Sequence, residues 1–175
     1  RMLGTTGGFT GQLTNYSYAA GMTLMPHIVG TNEVIQAKVT DWVAIAENCR
    51  LMICFGGLPL KNGLVTSGGS GAHEYPGWLA ATAKAGVRFV NLSPLRQDAP
   101  EVLGAEWLPI RPGSDTALIL AMLHVLATRG LAREDALARC SVGWEKLRAY
   151  VLGETDGVAK TPEWATALTD IAAAD

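Results

Sequence analysis

Short apolar runs that end at glycine, serine or an arginine-proline pair mark the middle of this chain. The runs are Leu51–Phe55, Val87–Leu92 and Glu106–Ile110. Uninterrupted apolar runs of four to eight residues, closed by turn residues, are typical of strands buried on both faces of a sheet. The pattern therefore predicts three strands at these positions.

Between the strands, the spacing of apolar residues changes to that of helices. Thr40 and Asp41 predict a helix start, and this helix is expected to run to about Asn48. Pro76 suits the first turn of a second helix, which Gly86 would follow. An earlier helical segment, Asn15–Ile28, is expected to be broken by Pro26 and Gly30.

The strongest helical pattern covers Asp115–Thr128, which is apolar nearly all round and is therefore expected to be buried. Further helices are predicted at Arg133–Arg139, Gly143–Leu152 and Pro162–Ala173, the last with Thr161 as its N-cap. Strands alternating with helices predict an α/β fold: a Rossmann-like parallel sheet with helices on both faces and a helical C-terminal part. We expect residues 1–175 to form one such domain, with 130–175 as its helical extension.

Composition narrows the class of protein. Hydrophobic residues make up 49% of the 175 residues, charged residues only 17%, and the mean hydropathy is +0.19. This excludes a disordered chain. The chain has fourteen basic and sixteen acidic residues, so it has no excess of positive charge to attract the phosphates of a nucleic acid. We therefore expect no nucleic-acid partner. The longest apolar stretch, Ala117–Leu123, is too short for a membrane span, so we expect no membrane partner either.

The apolar excess has two interpretations. Either the domain is unusually well buried, or it is part of a larger protein and exposes surface that other segments cover. The chain begins at Arg1, and we expect the second interpretation to hold. The isolated segment would then self-associate through its uncovered apolar surface. The cysteines Cys49, Cys54 and Cys140 fit no zinc or disulfide spacing and are expected to be reduced and mostly buried.

The candidate chemistry follows the strands. Ligands of open parallel sheets bind beyond the carboxyl ends of the strands. The loops Gly56–Lys61, Ser93–Arg96 and Arg111–Asp115 lie there and offer glycines, three cations and a carboxylate, which suits a nucleotide. Ordinary turn chemistry with solvated cations is the alternative for any one loop. The segment Gly56–Pro76 is long and glycine-rich, and we expect it to be the most mobile internal segment.

Other nucleotide signatures are missing. No G-x-G-x-x-G follows a strand, which disfavours an NAD-type Rossmann domain, and no G-x-x-x-x-G-K-[ST] loop is present. Ser70 lies in a GGSG segment but lacks the full nucleophile-elbow motif. His27, His73 and His124 are too far apart for a helical metal pair.

Taken together, these loops resemble a known family. The matching stretches are MPHIVGTNEV, FGGLPLKN, VRFVNLSPLRQD, AEWLPIRPGSDTALILAMLH and GETDGVAKTPEWA. In this order they resemble the molybdopterin oxidoreductases of the dimethyl sulfoxide reductase family. The nearest branch is that of biotin sulfoxide, dimethyl sulfoxide and trimethylamine N-oxide reductases. The resemblance implies a parent enzyme that holds molybdenum between two molybdopterin guanine dinucleotides and reduces small S-oxides or N-oxides. It implies a cytoplasmic parent in the biotin sulfoxide case and a periplasmic one in the others.

By the same resemblance, this segment would be one dinucleotide-binding domain, and its partners would be the remaining domains of the parent. Asp115 would read the guanine. The implied cofactor-binding residues are Gly56, Gly57, Pro59, Lys61, Ser93, Pro94, Arg96, Arg111, Gly113, Ser114 and Asp115.

Three positions depart from the family pattern: Ser93 and Leu58 stand where relatives carry Asp, and Ser114 replaces the commoner Thr. The family's serine ligand to molybdenum lies in an earlier segment, so no residue here is assigned as catalytic or as a metal ligand. The isolated segment is expected to be inactive and to carry no cofactor. A stand-alone nucleotide-binding or regulatory module is the alternative.

Overall fold

The computed structural model describes residues 2–11, 17–33, 40–63 and 73–174. The chain forms two compact units, Arg1–Asp41 and Trp42–Asp175. The first unit contains helices α1 (Met2–Thr5) and α2 (Ala19–Val29). Pro26 was expected to break the second helix, but it lies inside α2, and Gly30 ends the helix in a left-handed conformation. The Gly30 N–H donates to the Pro26 carbonyl at 3.1 Å, so glycine alone provides the stop. Asn15, the predicted start, lies outside the described residues.

The second unit is built on a three-stranded parallel sheet. Its strands are β1 (Leu51–Phe55), β2 (Arg88–Leu92) and β3 (Glu106–Leu108), in the order β1-β2-β3. The predicted fold class and the three predicted strands are confirmed. β3 ends two residues before the predicted boundary because Pro109 has no N–H to continue the ladder.

Helices pack on both faces of the sheet, as the alternation of elements predicts. On one face, Cys54 and Phe89 pack against Leu79 and Leu103 in a buried cluster. Leu79 belongs to α5 (Tyr75–Lys84), and Leu103 to the second of two short 3-10 helices at Arg96–Asp98 and Glu101–Leu103. The helix α3 (Trp42–Asn48) packs on α5 on this side. Its bounds confirm the start predicted at Thr40 and Asp41.

The opposite face carries a second apolar cluster. Leu92 of β2 packs there with Ile110 and Ile171, and Leu118 of α6 (Asp115–Thr128) covers them. The bounds of α6 are those predicted. The expectation that it is buried was wrong: Ile119, Met122 and Leu126 are 37–43% exposed. α6 packs on the sheet through Leu118 and on helices of the C-terminal part.

The C-terminal part is helical, as predicted. It contains α7 (Glu134–Cys140), α8 (Trp144–Val151) and α9 (Pro162–Thr169). The hydroxyl oxygen of Thr161 accepts from the Trp164 N–H at 3.2 Å and caps α9 as predicted. α9 ends four residues earlier than predicted because Asp170 adopts a left-handed conformation, with φ of 64°.

The segment between β1 and α5 is partly ordered into a helix. The sequence predicts a loop throughout Gly56–Pro76, but α4 (Leu60–Gly63) forms within it, and α5 begins at Tyr75. The prediction of mobility also concerns residues 64–72, which lie outside the described residues.

The three cysteines are free thiols, as predicted, but they are not equally buried. Cys54 is buried, and burial raises the pKa of its thiol to about 11. Cys49 is half-buried and Cys140 is exposed, so the expectation of burial fails for Cys140. An exposed position at the end of α7 places Cys140 away from both apolar clusters.

Candidate functional site

The candidate site lies at the carboxyl edge of the sheet, because the ends of all three strands meet there. Phe55 is in register with Leu92, and Leu92 with Leu108. The loops Gly56–Lys61, Ser93–Arg96 and Arg111–Asp115 follow these strand ends, so the parallel topology brings the three predicted loops to one edge.

The first loop contains two glycines with different surroundings. Gly56 and Gly57 both have φ of +80°, which glycine adopts without strain. A Cβ atom on Gly56 would meet nothing within 4 Å, whereas one on Gly57 would lie 2.7 Å from the Cβ of Asp98. Gly57 is therefore needed for packing against the second loop, and Gly56 leaves open space.

The rest of the first loop presents a cation. Pro59 precedes α4, and its carbonyl accepts from the Asn62 N–H at 3.1 Å. Lys61 is exposed on α4, and its ammonium group has no hydrogen-bond or ion-pair partner among the described residues. This lysine remains available to an anion.

The second loop is held by a network around Ser93, which is 1% exposed. The Ser93 hydroxyl donates to Asp98 Oδ2 at 2.5 Å and accepts from the Leu95 N–H at 3.2 Å. The Trp107 indole N–H donates to the Ser93 carbonyl at 2.8 Å. A side chain with these contacts organises the loop from inside, so Ser93 is not displayed to a ligand.

Pro94, Leu95 and Arg96 are the exposed members of the second loop. Among the described residues the guanidinium of Arg96 has no hydrogen-bond or ion-pair partner, as with Lys61. The Leu58 N–H donates to the Asp98 carbonyl at 2.8 Å, which ties the first loop to the second. The two available cations therefore belong to loops that are fixed to each other through Asp98.

The third loop differs from the sequence-based expectation at Arg111. Its Nε and Nη2 donate to Oδ2 and Oδ1 of Asp170 at 3.0 and 2.6 Å. Its backbone N–H donates to the Thr169 carbonyl at 2.9 Å. A guanidinium engaged in this bidentate pair fixes the loop to the end of α9. Arg111 therefore supports the loop, and its predicted contact with the cofactor remains a prediction.

Ser114 also differs in detail. It occupies the N-cap position of α6, but its hydroxyl donates to the Arg111 carbonyl at 2.6 Å and accepts from no helix N–H. Gly113, with φ of +80°, faces open space. Asp115 is half-buried in the first turn of α6, and its carboxylate accepts no hydrogen bond from a described residue. The third loop thus offers a carboxylate beside an open glycine.

Sequence reasoning missed Asn91 and Asp98. Asn91 lies within β2 and is 1% exposed. The signal for Asn91 was a polar residue inside the apolar run VRFVNL. Asp98 gave no signal, since its role depends on contacts with two other loops.

Across the described ranges, no group of three or more His, Cys, Asp or Glu side chains is arranged to hold a metal ion. None of the helices found there is long and apolar enough to cross a membrane.

Sequence comparisons agree with the motifs. No protein-family model matches the chain. Biotin sulfoxide reductase from Cereibacter sphaeroides is 38% identical over 173 residues, which are 99% of this chain and 23% of that protein. Dimethyl sulfoxide/trimethylamine N-oxide reductase from the same organism is 35% identical over 99% of this chain, and trimethylamine-N-oxide reductase from Haemophilus influenzae is 31% identical over 99%. This chain spans 21% of the length of each of these two reductases.

Proposed function

We propose that this chain, a segment homologous to reductases of the dimethyl sulfoxide reductase family, holds one molybdopterin guanine dinucleotide through its three strand-end loops. The chain spans about a fifth of its relatives' length. The parent activity is therefore part of the proposal: reduction of a small S-oxide or N-oxide, with the remaining parts of the parent as partners. The proposed cofactor is molybdenum carried by two such dinucleotides.

The observation that carries this proposal is the pair of unpartnered cations at the sheet edge. Lys61 and Arg96 lie on two loops that Asp98 joins, and neither side chain is neutralised by a described residue. A diphosphate needs cations of this kind, and Arg can contact it with two donors. Open space at Gly56 and Gly113 lets a ligand approach the backbone.

We propose different roles for these binding residues. Lys61 and Arg96 would contact phosphate, and the carboxylate of Asp115 would accept from the N–H groups of the guanine. Gly57, Ser93 and Arg111 would support the loops. Pro59, Pro94 and Ser114 would shape the backbone between these contacts.

The residues present fit such a cofactor, because their unpartnered groups match its diphosphate and guanine. The bound molybdenum cofactor would supply the oxygen-atom and electron chemistry. The residues of this chain would bind and orient the dinucleotide and would move no proton of the reaction. No residue here is assigned as a metal ligand, and the segment alone is proposed to be inactive.

Replacing Arg96 with alanine tests the phosphate contact. In the full-length protein we expect cofactor affinity to fall about 10- to 100-fold, since a lost hydrogen bond to a charged group costs about 1.5–3 kcal/mol. Molybdenum and guanine nucleotide content of the purified protein measure it. Arg88→Ala is the matched control, because Arg88 is an exposed arginine at the other end of β2. Equal cofactor content in the two variants would contradict the proposal.

Replacing Asp115 with asparagine tests the guanine contact. A carboxylate can accept from two N–H donors of a guanine, whereas an amide cannot accept at both positions. We expect unchanged folding and a lower guanine nucleotide content. If Asp115 only interacts favourably with the helix dipole, which is worth about 0.3–1 kcal/mol, the molybdenum content and the guanine nucleotide content both stay at the level of the unmodified protein. That result would remove Asp115 from the site.

A further inference from the structure

Asn91 carries a buried acceptor that lacks a donor. The side chain is 1% exposed. Its Nδ2 donates to the carbonyls of Leu95 and Arg96 at 3.4 and 3.2 Å. Its Oδ1 is buried and has no hydrogen-bond partner among the described residues. Buried polar atoms of native proteins nearly always have a hydrogen-bond partner, so we expect this oxygen to accept a hydrogen bond from a donor.

The orientation of the Asn91 amide is fixed by its neighbours. Both groups beside Nδ2 are carbonyl oxygens, which only accept. A flipped amide would place its oxygen against two oxygens and would lose both hydrogen bonds. Oδ1 must therefore remain the acceptor that has no donor.

Asn91 also lines a cleft of about 630 Å³. Its lining includes Asn91, Arg96, Gln97, Pro100, Glu101 and Trp107. The Trp107 indole N–H donates to the Ser93 carbonyl. This hydrogen bond fixes the ring, which forms one wall of the cleft. The volume lies in the range of small-molecule sites, which combine apolar walls with a few fixed polar groups.

We propose that Asn91 is a ligand-binding residue, whose Oδ1 accepts a hydrogen bond from an N–H or O–H donor on the guanosine half of the bound dinucleotide. This inference rests on the proposed function. The same side chain holds the loop that carries Arg96, so a phosphate at Arg96 would bring the adjoining nucleoside to the cleft. Guanosine offers donors of both kinds, on its base and on its ribose.

The test measures guanosine monophosphate binding to full-length protein made without cofactor. Two analogues separate the sources of the donor. One is 2′,3′-dideoxyguanosine monophosphate, which lacks the ribose hydroxyls, and the other is 1-methylinosine monophosphate, which lacks the N–H donors of the base. We expect the analogue that lacks the donor to Oδ1 to lose about tenfold in affinity through Asn91, in addition to any loss that the base analogue suffers at Asp115.

The Asn91→Leu variant completes the comparison. It should bind guanosine monophosphate about tenfold more weakly, and its discrimination against that analogue should shrink by the same factor. Asn48→Leu, at an exposed asparagine on α3, should bind all three nucleotides as the unmodified protein does. A crystal structure of the unmodified protein with guanosine monophosphate should show a ligand donor within hydrogen-bond distance of Oδ1, whatever the stability of the variant.

Several results would overturn the inference. These are equal binding of all three nucleotides by the unmodified protein, unchanged discrimination by Asn91→Leu, or only a water molecule on Oδ1 in the complex. In these cases the proposed function stands if the protein still binds guanosine monophosphate. Absence of any such binding, together with no guanine nucleotide in the full-length protein, would reject both.

Discussion

Replacing Lys160 with alanine is expected to destabilise the C-terminal helical part by about 3 kcal/mol, the cost typical of truncating a large buried side chain to alanine. Lys160 is 2% exposed, and its Nζ lies 2.7 Å from Asp156 Oδ2. The same ammonium group donates to the Val158 carbonyl and lies 4.2 Å from the ring centre of Tyr150. Alanine removes all of these contacts and leaves a cavity where the aliphatic chain packed.

The matched variant Lys160→Met separates packing from charge, because methionine keeps most of the chain volume. We expect it to lose less stability than alanine, since methionine retains the buried packing and the Asp156 carboxylate, 40% exposed, can be hydrated when its partner is removed. Hydrogen exchange at the Trp164 and Lys160 amides of the full-length protein measures the effect. These amides donate to the Thr161 hydroxyl and the Val151 carbonyl. Unchanged protection of both amides in Lys160→Ala would contradict the prediction.

The Lys160–Asp156 pair also makes the stability of the folded state depend on pH. The hydrogen bond from Lys160, with one from the Val158 N–H, holds the pKa of Asp156 below its ordinary value. A carboxyl whose pKa is lower in the folded state contributes stability above its unfolded pKa. That contribution is lost as the pH falls through the folded pKa.

Local patterns sufficed to predict the elements that position the site. Each strand end coincides with a residue that stops a ladder or permits a turn, such as Gly56 after β1 or Pro109 after β3. The bounds of α6 could be predicted equally well, because its helical pattern changes abruptly to turn residues at both ends. Its exposed side could not be predicted, since burial depends on which other elements pack on it.

The contacts that organise the site could not be predicted, because they join residues far apart in the chain. Arg111 and Asp170 are 59 positions apart, and the pair forms only because α9 ends beside the third loop. The carboxylate that accepts from the Ser93 hydroxyl likewise belongs to Asp98. The patterns that predict helices and strands give no indication of this contact. The supporting contacts of Arg111 and Ser93 therefore appear only in the structure, and the predicted ligand contacts of these loops remain predictions.

Replacing Gly57 with alanine is expected to open the junction of the first two loops, whereas Gly56→Ala is expected to leave it closed. Both glycines have φ of +80°, so each alanine pays about 1–2 kcal/mol for the left-handed conformation. At Gly57 the new methyl group also collides with Asp98, which adds about 1–3 kcal/mol of overpacking. The larger loss should therefore appear only at Gly57.

Hydrogen exchange at the Leu58 amide reports this junction, because that N–H donates to the Asp98 carbonyl at 2.8 Å. In the full-length protein we expect the Leu58 amide to lose protection in Gly57→Ala and to keep it in Gly56→Ala. Cofactor content adds a second readout. Gly57→Ala should lower it by displacing Asp98 and the Arg96 loop, and Gly56→Ala should lower it by filling space proposed for the ligand. Equal Leu58 protection in the two variants would show that Asp98 yields to the methyl group, and that the two loops are not fixed to each other through Gly57.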